Sequence, residues 1–178
     1  MTPVRESGTM RNVLILLITM AFGSASAAAD RRPLPAFSVV TPAGAPIASS
    51  QLGGSGRWLL IYVKPQCPAC DRLLAALDTW GVLQQGAARV VVVVADSPDV
   101  LEVRVRPLMA TSGQAVQLYA DANGQAAAAL GVARAPVLVG VEGGLVDWTV
   151  AGVLNDPQAV ETVVRTWLAR SLGPLEGR

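Results

Sequence analysis

Histidine is absent from this sequence, which removes imidazole general-base catalysis, a Ser-His-Asp triad and nearly every common zinc or copper site. Lysine is almost as scarce: Lys64 is the only one, and every other basic residue is an arginine. No basic cluster is longer than the Arg31-Arg32 pair and the formal net charge is +1, so the basic stripe of a nucleic-acid-binding protein is missing. Aromatic residues make up 4% of the chain, which leaves any core to Val, Leu, Ile and Ala. Charged residues are 15% against 52% hydrophobic ones, too apolar a balance for a disordered chain. Cysteine occurs twice, at Cys67 and Cys70. The 178 residues have room for one ordinary domain.

What is present organises the chain from its start. Val13 to Phe22 is a short apolar run, preceded by Arg5 and Arg11 and followed by Gly23-Ser24-Ala25-Ser26-Ala27-Ala28-Ala29-Asp30. A basic segment, an apolar segment and an Ala-x-Ala exit describe a secretory signal peptide, with cleavage after Ala27 or Ala29 fitting equally well. Met10 is an alternative start. An uncleaved membrane anchor competes, since the 17 residues from Val13 to Ala29 lie at the lower end of the ~17–25 that span a bilayer. Either reading puts the folded part outside the cytoplasm, in a periplasm or its equivalent. The expected organisation is therefore a signal peptide or anchor over residues 1–29 and a linker over 30–36, marked by Pro33 and Pro35. A folded domain over 37–170 and a C-terminal tail over 171–178 complete it. Without residues 1–29, basic and acidic residues are equal in number.

Along the folded part, strand and helix patterns alternate. Phe37 to Val40 reads as a short strand, and Thr41-Pro42-Ala43-Gly44-Ala45-Pro46 turns it back through Ile47. Trp58 to Val63 is a continuous apolar run, as a central strand buried on both faces requires, and Pro65 stops it. Cys70, Leu73, Leu74, Leu77 and Trp80 then recur at helical spacing, with Asp71, Arg72, Asp78 and Thr79 opposite and Gly81 closing the helix. Val90 to Ala95 is a second buried strand. From Asp99 to Pro107 the signals conflict: Val103 and Val105 alternate with arginines as in a strand, but Ser97-Pro98 is a helix start, and a short helix is the expected form. Asp121 to Gly124 is a turn, and Gln125 to Leu130 a short Ala-rich helix ended by Gly131. Pro136 to Val141 and Leu145 to Trp148 form a hairpin around Glu142-Gly143-Gly144. Asp156-Pro157 opens a last helix whose buried stripe is Val160, Val163, Val164, Trp167 and Leu168, with Gly173-Pro174 ending it. The pattern is that of an α/β protein with a central sheet.

Chemistry is concentrated in Cys67-Pro68-Ala69-Cys70, between a buried strand and an amphipathic helix. Residues i and i+3 of a first helical turn supply the ~4.4–6.8 Å Cα separation that a disulfide needs. Cys67 falls at the helix N-terminus, where free backbone N–H groups and the dipole stabilise a thiolate, and Cys70 shares the buried stripe with Leu73 and Leu74. The pair divides into an exposed attacker and a covered resolver: Cys67 attacks a substrate disulfide, and Cys70 breaks the mixed disulfide. A purely structural disulfide across four residues removes little chain entropy. A zinc site needs more ligands than two cysteines supply, so no metal is expected. Two inert core cysteines fit poorly with a helix start flanked by Pro65 and Pro68.

With these residues in view, the chain resembles the thioredoxin-like superfamily, and within it the extracytoplasmic thiol:disulfide interchange proteins of the TlpA type. The likeness runs from Phe37 to Leu168. Phe37 to Ile47, continuing through Gln51-Leu52 to the Trp58 strand, is similar to the extra hairpin that such proteins add before the thioredoxin core. Leu118 to Gly124, then Leu130-Gly131-Val132-Ala133-Arg134-Ala135-Pro136-Val137-Leu138, is similar to the family's turn, helix, Gly-Val and proline before a strand. The resemblance implies a thioredoxin-like fold, a mixed sheet flanked by helices with an N-terminal hairpin. It also implies a cis proline at Pro136, set against the cysteine pair, with the Ala135 backbone binding an extended substrate segment. The implied activity is disulfide exchange with cysteine-containing proteins, as a reductant, without a cofactor and without nucleic acid. A monomer served by a membrane or extracytoplasmic redox partner is expected. The sequence departs from the family at two points: Gln66 replaces the usual Trp before the first cysteine, and Ile61 stands where thioredoxins keep a buried acid for the resolving cysteine. Asp71 is next to Cys70 but on the opposite helix face, and Lys64 reads as a solvated lysine.

Two other functions remain open at this stage. A peroxiredoxin shares the hairpin, but Lys64 stands three residues before Cys67, where that family keeps Thr or Ser. A non-catalytic thioredoxin-like adaptor in an envelope assembly, such as a secretion or conjugation apparatus, is compatible with the missing Trp and acid; full function of a Cys67→Ser, Cys70→Ser double variant would mark it.

Overall fold

In the computed structural model, which describes residues 31–77, 79–81, 89–109, 116–152 and 156–170, eight strands form one sheet. They are β1 (Arg32–Pro33), β2 (Ser38–Val40), β3 (Pro46–Ala48), β4 (Arg57–Val63), β5 (Arg89–Val94), β6 (Val116–Ala120), β7 (Val137–Glu142) and β8 (Leu145–Ala151). Among the described residues, three α-helices of six or more residues accompany them: α1 (Pro68–Leu77), α2 (Gln125–Leu130) and α3 (Pro157–Ala169). The strand order is β1-β8-β7-β4-β5-β6-β2-β3. β4, β5 and β6 run parallel, whereas β7 is antiparallel to β4 and β8 antiparallel to β7, so the sheet is mixed. The expected signal peptide or anchor over 1–29 and the tail over 171–178 lie outside the described residues.

β4 occupies the middle because every residue from Trp58 to Val63 is apolar and can be covered on both faces. Its side chains alternate. Leu59, Ile61 and Val63 join a cluster with Cys70, Leu73, Leu74 and Leu77 of α1 and Val160, Val164, Trp167 and Leu168 of α3. Trp58, Leu60 and Tyr62 face the other way, against Phe37, Val39, Leu52 and Ala126. The β2–β3 hairpin forms as expected and joins the sheet through Val40 opposite Ala120. Within the stretch read as a linker, Arg32–Pro33 adds a two-residue strand beside β8.

Several elements differ from the sequence reading. Val163 is 47% exposed, because it sits at the rim of the buried stripe formed by Val160, Val164, Trp167 and Leu168. The short helix expected after Ser97-Pro98 is present and runs longer than expected, with an α turn at Pro98–Val100, a wider π-type turn at Leu101–Val105 and a 3-10 turn at Arg106–Met109. Leu101 and Val105, four apart, are buried while Val103 is 76% exposed, so helical spacing and not alternation decides this segment. β6 was not anticipated as a strand.

Long-range polar contacts fasten α3 to the sheet. Arg57 Nε donates to Glu142 at 2.9 Å, and its Nη1 donates to the carbonyls of Trp167 and Leu168 at 2.9 and 3.2 Å, near the end of α3 where carbonyls lack helical partners. Trp167 Nε1 donates to Asp147 at 2.7 Å, and its ring meets Trp148 edge-on with centroids 5.5 Å apart. Gly140 permits this arrangement, since a Cβ there would overlap the Trp148 indole. The β7–β8 hairpin closes through Gly143 and Gly144, both at positive φ, as a tight two-residue turn demands.

On the opposite face, Tyr62 Oη donates to Asp121 Oδ2 at 2.9 Å, and the same carboxylate accepts from the Ala126 and Ala127 amides at the start of α2. Burial first, and then the Asp121 contact, hold the Tyr62 phenol well above its ordinary value. In the unfolded chain a tyrosine releases its proton near pH ~10, while folded Tyr62 retains it. The Tyr62 contribution is therefore intact below pH ~10 and is lost above it, at about 1.4 kcal/mol per pH unit. Urea unfolding between pH 9 and 11.5 is expected to show a steeper alkaline loss for the wild type than for Tyr62→Phe. Equal slopes would contradict this linkage.

Candidate active site

β4 ends at Val63, and Lys64-Pro65-Gln66 turns the chain into α1. Gln66 adopts φ 57°, a left-handed conformation uncommon for a residue with a Cβ and typical of sites where geometry matters more than local ease. Pro68 is the first residue of α1, a position that needs no N–H, which leaves Cys67 at the mouth of the helix.

Cys67 and Cys70 are joined by a disulfide, with Cα atoms 5.2 Å apart. Cys67 is half-buried, whereas Cys70 is 1% exposed and packed in the α1–α3 cluster. The Cys70 backbone N–H donates to Cys67 Sγ at 3.2 Å, and the Cys70 and Asp71 amides also donate to the Cys67 carbonyl. Reduction leaves that amide aimed at a Cys67 thiolate, alongside the helix dipole, and both favour the ionised form. No comparable donor from the backbone reaches Cys70 Sγ among the described residues.

Pro136 follows a cis peptide bond from Ala135, at the start of β7. The Ala135 carbonyl oxygen lies 3.9 Å from Cys67 Sγ, so residues 68 apart in sequence meet at the sulfur. The fold thus brings Cys67, Cys70, Ala135 and Pro136 together. Pro68 is exposed and Ala69 half-buried in the first turn of α1. Gln66 is exposed beside them, and Ile61 is fully buried in the cluster that holds Cys70, so no carboxylate occupies that place.

Sequence reading missed a cavity of about 340 Å3 beside Cys70. Its walls come from β4, the Lys64–Gln66 turn, α1, β5 and the 98–109 segment. Asp71, expected on the far side of α1 from Cys70, lines this cavity together with it. A helix position one residue on is rotated by only ~100°, enough to share a cavity while lying off the buried stripe.

The AhpC/TSA family matches residues 31–154. The chain belongs to that family. No curated protein matches it. Among solved structures it is similar to a secreted Mycobacterium tuberculosis disulfide oxidoreductase homologous to E. coli DsbE, at 19% identity and TM-score 0.57, covering 73% of this chain and 95% of that one. It is similar also to a thio-disulfide isomerase from Thermus thermophilus, at 18% identity and TM-score 0.57, covering 76% and 94%. A peroxiredoxin-like protein from Aquifex aeolicus gives 18% identity and TM-score 0.59, covering 76% and 85%. The thioredoxin-like fold expected from the sequence is the fold observed. Among the described residues no helix is long and apolar enough to cross a membrane.

Proposed function

We propose that this AhpC/TSA-family protein is an extracytoplasmic thiol:disulfide oxidoreductase that reduces disulfides of protein substrates through Cys67 and Cys70. The reading rests on one arrangement: Cys67 Sγ at the mouth of α1, receiving the Cys70 amide, facing the Ala135 carbonyl and backed by a covered partner sulfur. In the reduced protein the Cys67 thiolate attacks a substrate disulfide; one substrate sulfur bonds to Cys67 and the other leaves as a thiolate. Cys70 then attacks Cys67 Sγ, restoring the Cys67–Cys70 bond and releasing the second substrate thiol. Two electrons pass to the substrate. An extended substrate segment pairs with the Ala135 backbone, placing its sulfur against Cys67. The basic, apolar and Ala-x-Ala segments over residues 1–29 support an extracytoplasmic site of action.

Cys70→Ser removes the resolving sulfur and tests this directly. The variant is expected to accumulate mixed disulfides with envelope proteins, visible as high-mass bands that collapse on reduction. The Cys67→Ser, Cys70→Ser double variant captures none. Failure of Cys70→Ser to capture any cysteine-containing protein would overturn the proposal. The AhpC/TSA match and the Aquifex likeness favour peroxide reduction as a second reading. Peroxide consumption by the reduced protein decides between them.

A further inference from the structure

The proposed cycle needs Cys70 to ionise in its second half, and its surroundings work against that. Cys70 is 1% exposed among apolar side chains, and burial of this kind disfavours a thiolate. β4 contributes Ile61, β7 contributes Leu138, and α3 contributes Val160, Val164, Trp167 and Leu168 to its cluster, none of them charged. Among the described residues, the 340 Å3 cavity brings charged side chains beside Cys70. There β5 supplies Val94 and the 98–109 segment supplies Val100 and Val105, while Lys64 and Asp71 are its charged residues.

We infer that Lys64, across this cavity, stabilises the Cys70 thiolate during the resolving step, whereas Asp71 opposes it. The inference rests on the dithiol reading proposed above. Lys64 follows β4 directly, two residues before Gln66, and lines the cavity together with Cys70; its flexible four-carbon stem lets a compact positive charge swing from solvent toward that sulfur. The cavity reaches the exposed Lys64, Gln66 and Asp71 and is large enough for several waters, which carry the Cys70 proton to bulk solvent. The thiolate then bonds to Cys67 Sγ as the Cys67–substrate bond breaks, and the electron pair leaves on the substrate sulfur. The labour is thus divided: backbone N–H groups and the helix dipole serve Cys67, and a side-chain ammonium serves Cys70.

Mixing the reduced full chain with 5,5′-dithiobis(2-nitrobenzoate) separates the two steps, because attack by Cys67 and resolution by Cys70 each release one coloured thiolate. Lys64→Gln is expected to slow the second phase about tenfold at pH 7 by moving its pH midpoint up by roughly one unit, with the first phase changed less than threefold. Lys64→Arg keeps the charge and restores the second phase. Asp71→Asn accelerates it. A second phase unchanged in Lys64→Gln, both phases slowed equally, or a second phase slowed by Asp71→Asn would overturn the role given to Lys64, with the dithiol reading intact. Absence of any reaction in the wild type would instead overturn the dithiol reading.

Discussion

Serine at position 67 is expected to bring catalysed disulfide reduction down to the uncatalysed baseline, a loss of at least about a thousandfold. The nucleophile in exchange is a thiolate, and nothing at the mouth of α1 ionises an alcohol to a comparable extent at neutral pH. The Cys70 amide that points at Cys67 Sγ would meet a neutral hydroxyl instead of a developing charge. Cys70 does not substitute, because it is buried in the α1–α3 cluster, whereas Cys67 is the half-buried sulfur that a substrate disulfide can reach. Insulin reduction driven by dithiothreitol measures the effect. The comparison belongs with the reduced wild type, since closing a four-residue loop stabilises the oxidised fold by about 2 kcal/mol in the chain-entropy account. A Cys67→Ser protein that retained a tenth of wild-type turnover would place the nucleophile elsewhere.

The largest effect on stability is expected from Asp121→Ala, at about 3–5 kcal/mol. Asp121 is 4% exposed and accepts three hydrogen bonds, from Tyr62 Oη and from the Ala126 and Ala127 amides. Its removal strands a buried phenol and two amides at the start of α2, a helix of six residues with little stability of its own. Asp121→Asn keeps an acceptor and is expected to lose less than half as much. Urea titration at pH 7 reads both; a loss below 1 kcal/mol for Asp121→Ala would show that α2 is held by packing alone.

The cysteine site was legible in the sequence because each of its parts is local. A continuous apolar run ended by Pro65 fixes β4, and the spacing of Cys70, Leu73, Leu74 and Leu77 fixes the face of α1 that is buried. The position of Cys67 at the helix mouth follows from those two. Pro136 was different: by itself it signalled a strand boundary, and its place beside the cysteines came from the family resemblance. β6 carries a weak sign in the alternation of Val116, Leu118 and Ala120 with Gln117 and Tyr119, five residues that run directly into the Asp121–Gly124 turn. Tertiary pairs left no such sign. Nothing in the sequence joins Arg57 to the end of α3, Tyr62 to Asp121, or Lys64 to Cys70, since each depends on how separate elements are stacked. Val163 failed for a related reason: a helical stripe states which residues share a face, and the packing of the whole fold decides which residues at its rim are covered.

The two outermost members of the strand order carry a consequence for behaviour in solution. β1 offers two residues and β3 three, and each contains a proline, Pro33 and Pro46, with no amide hydrogen to present. Borders so brief give a second molecule little backbone to zip against, a natural safeguard against fibre growth in a chain whose interior is so rich in valine.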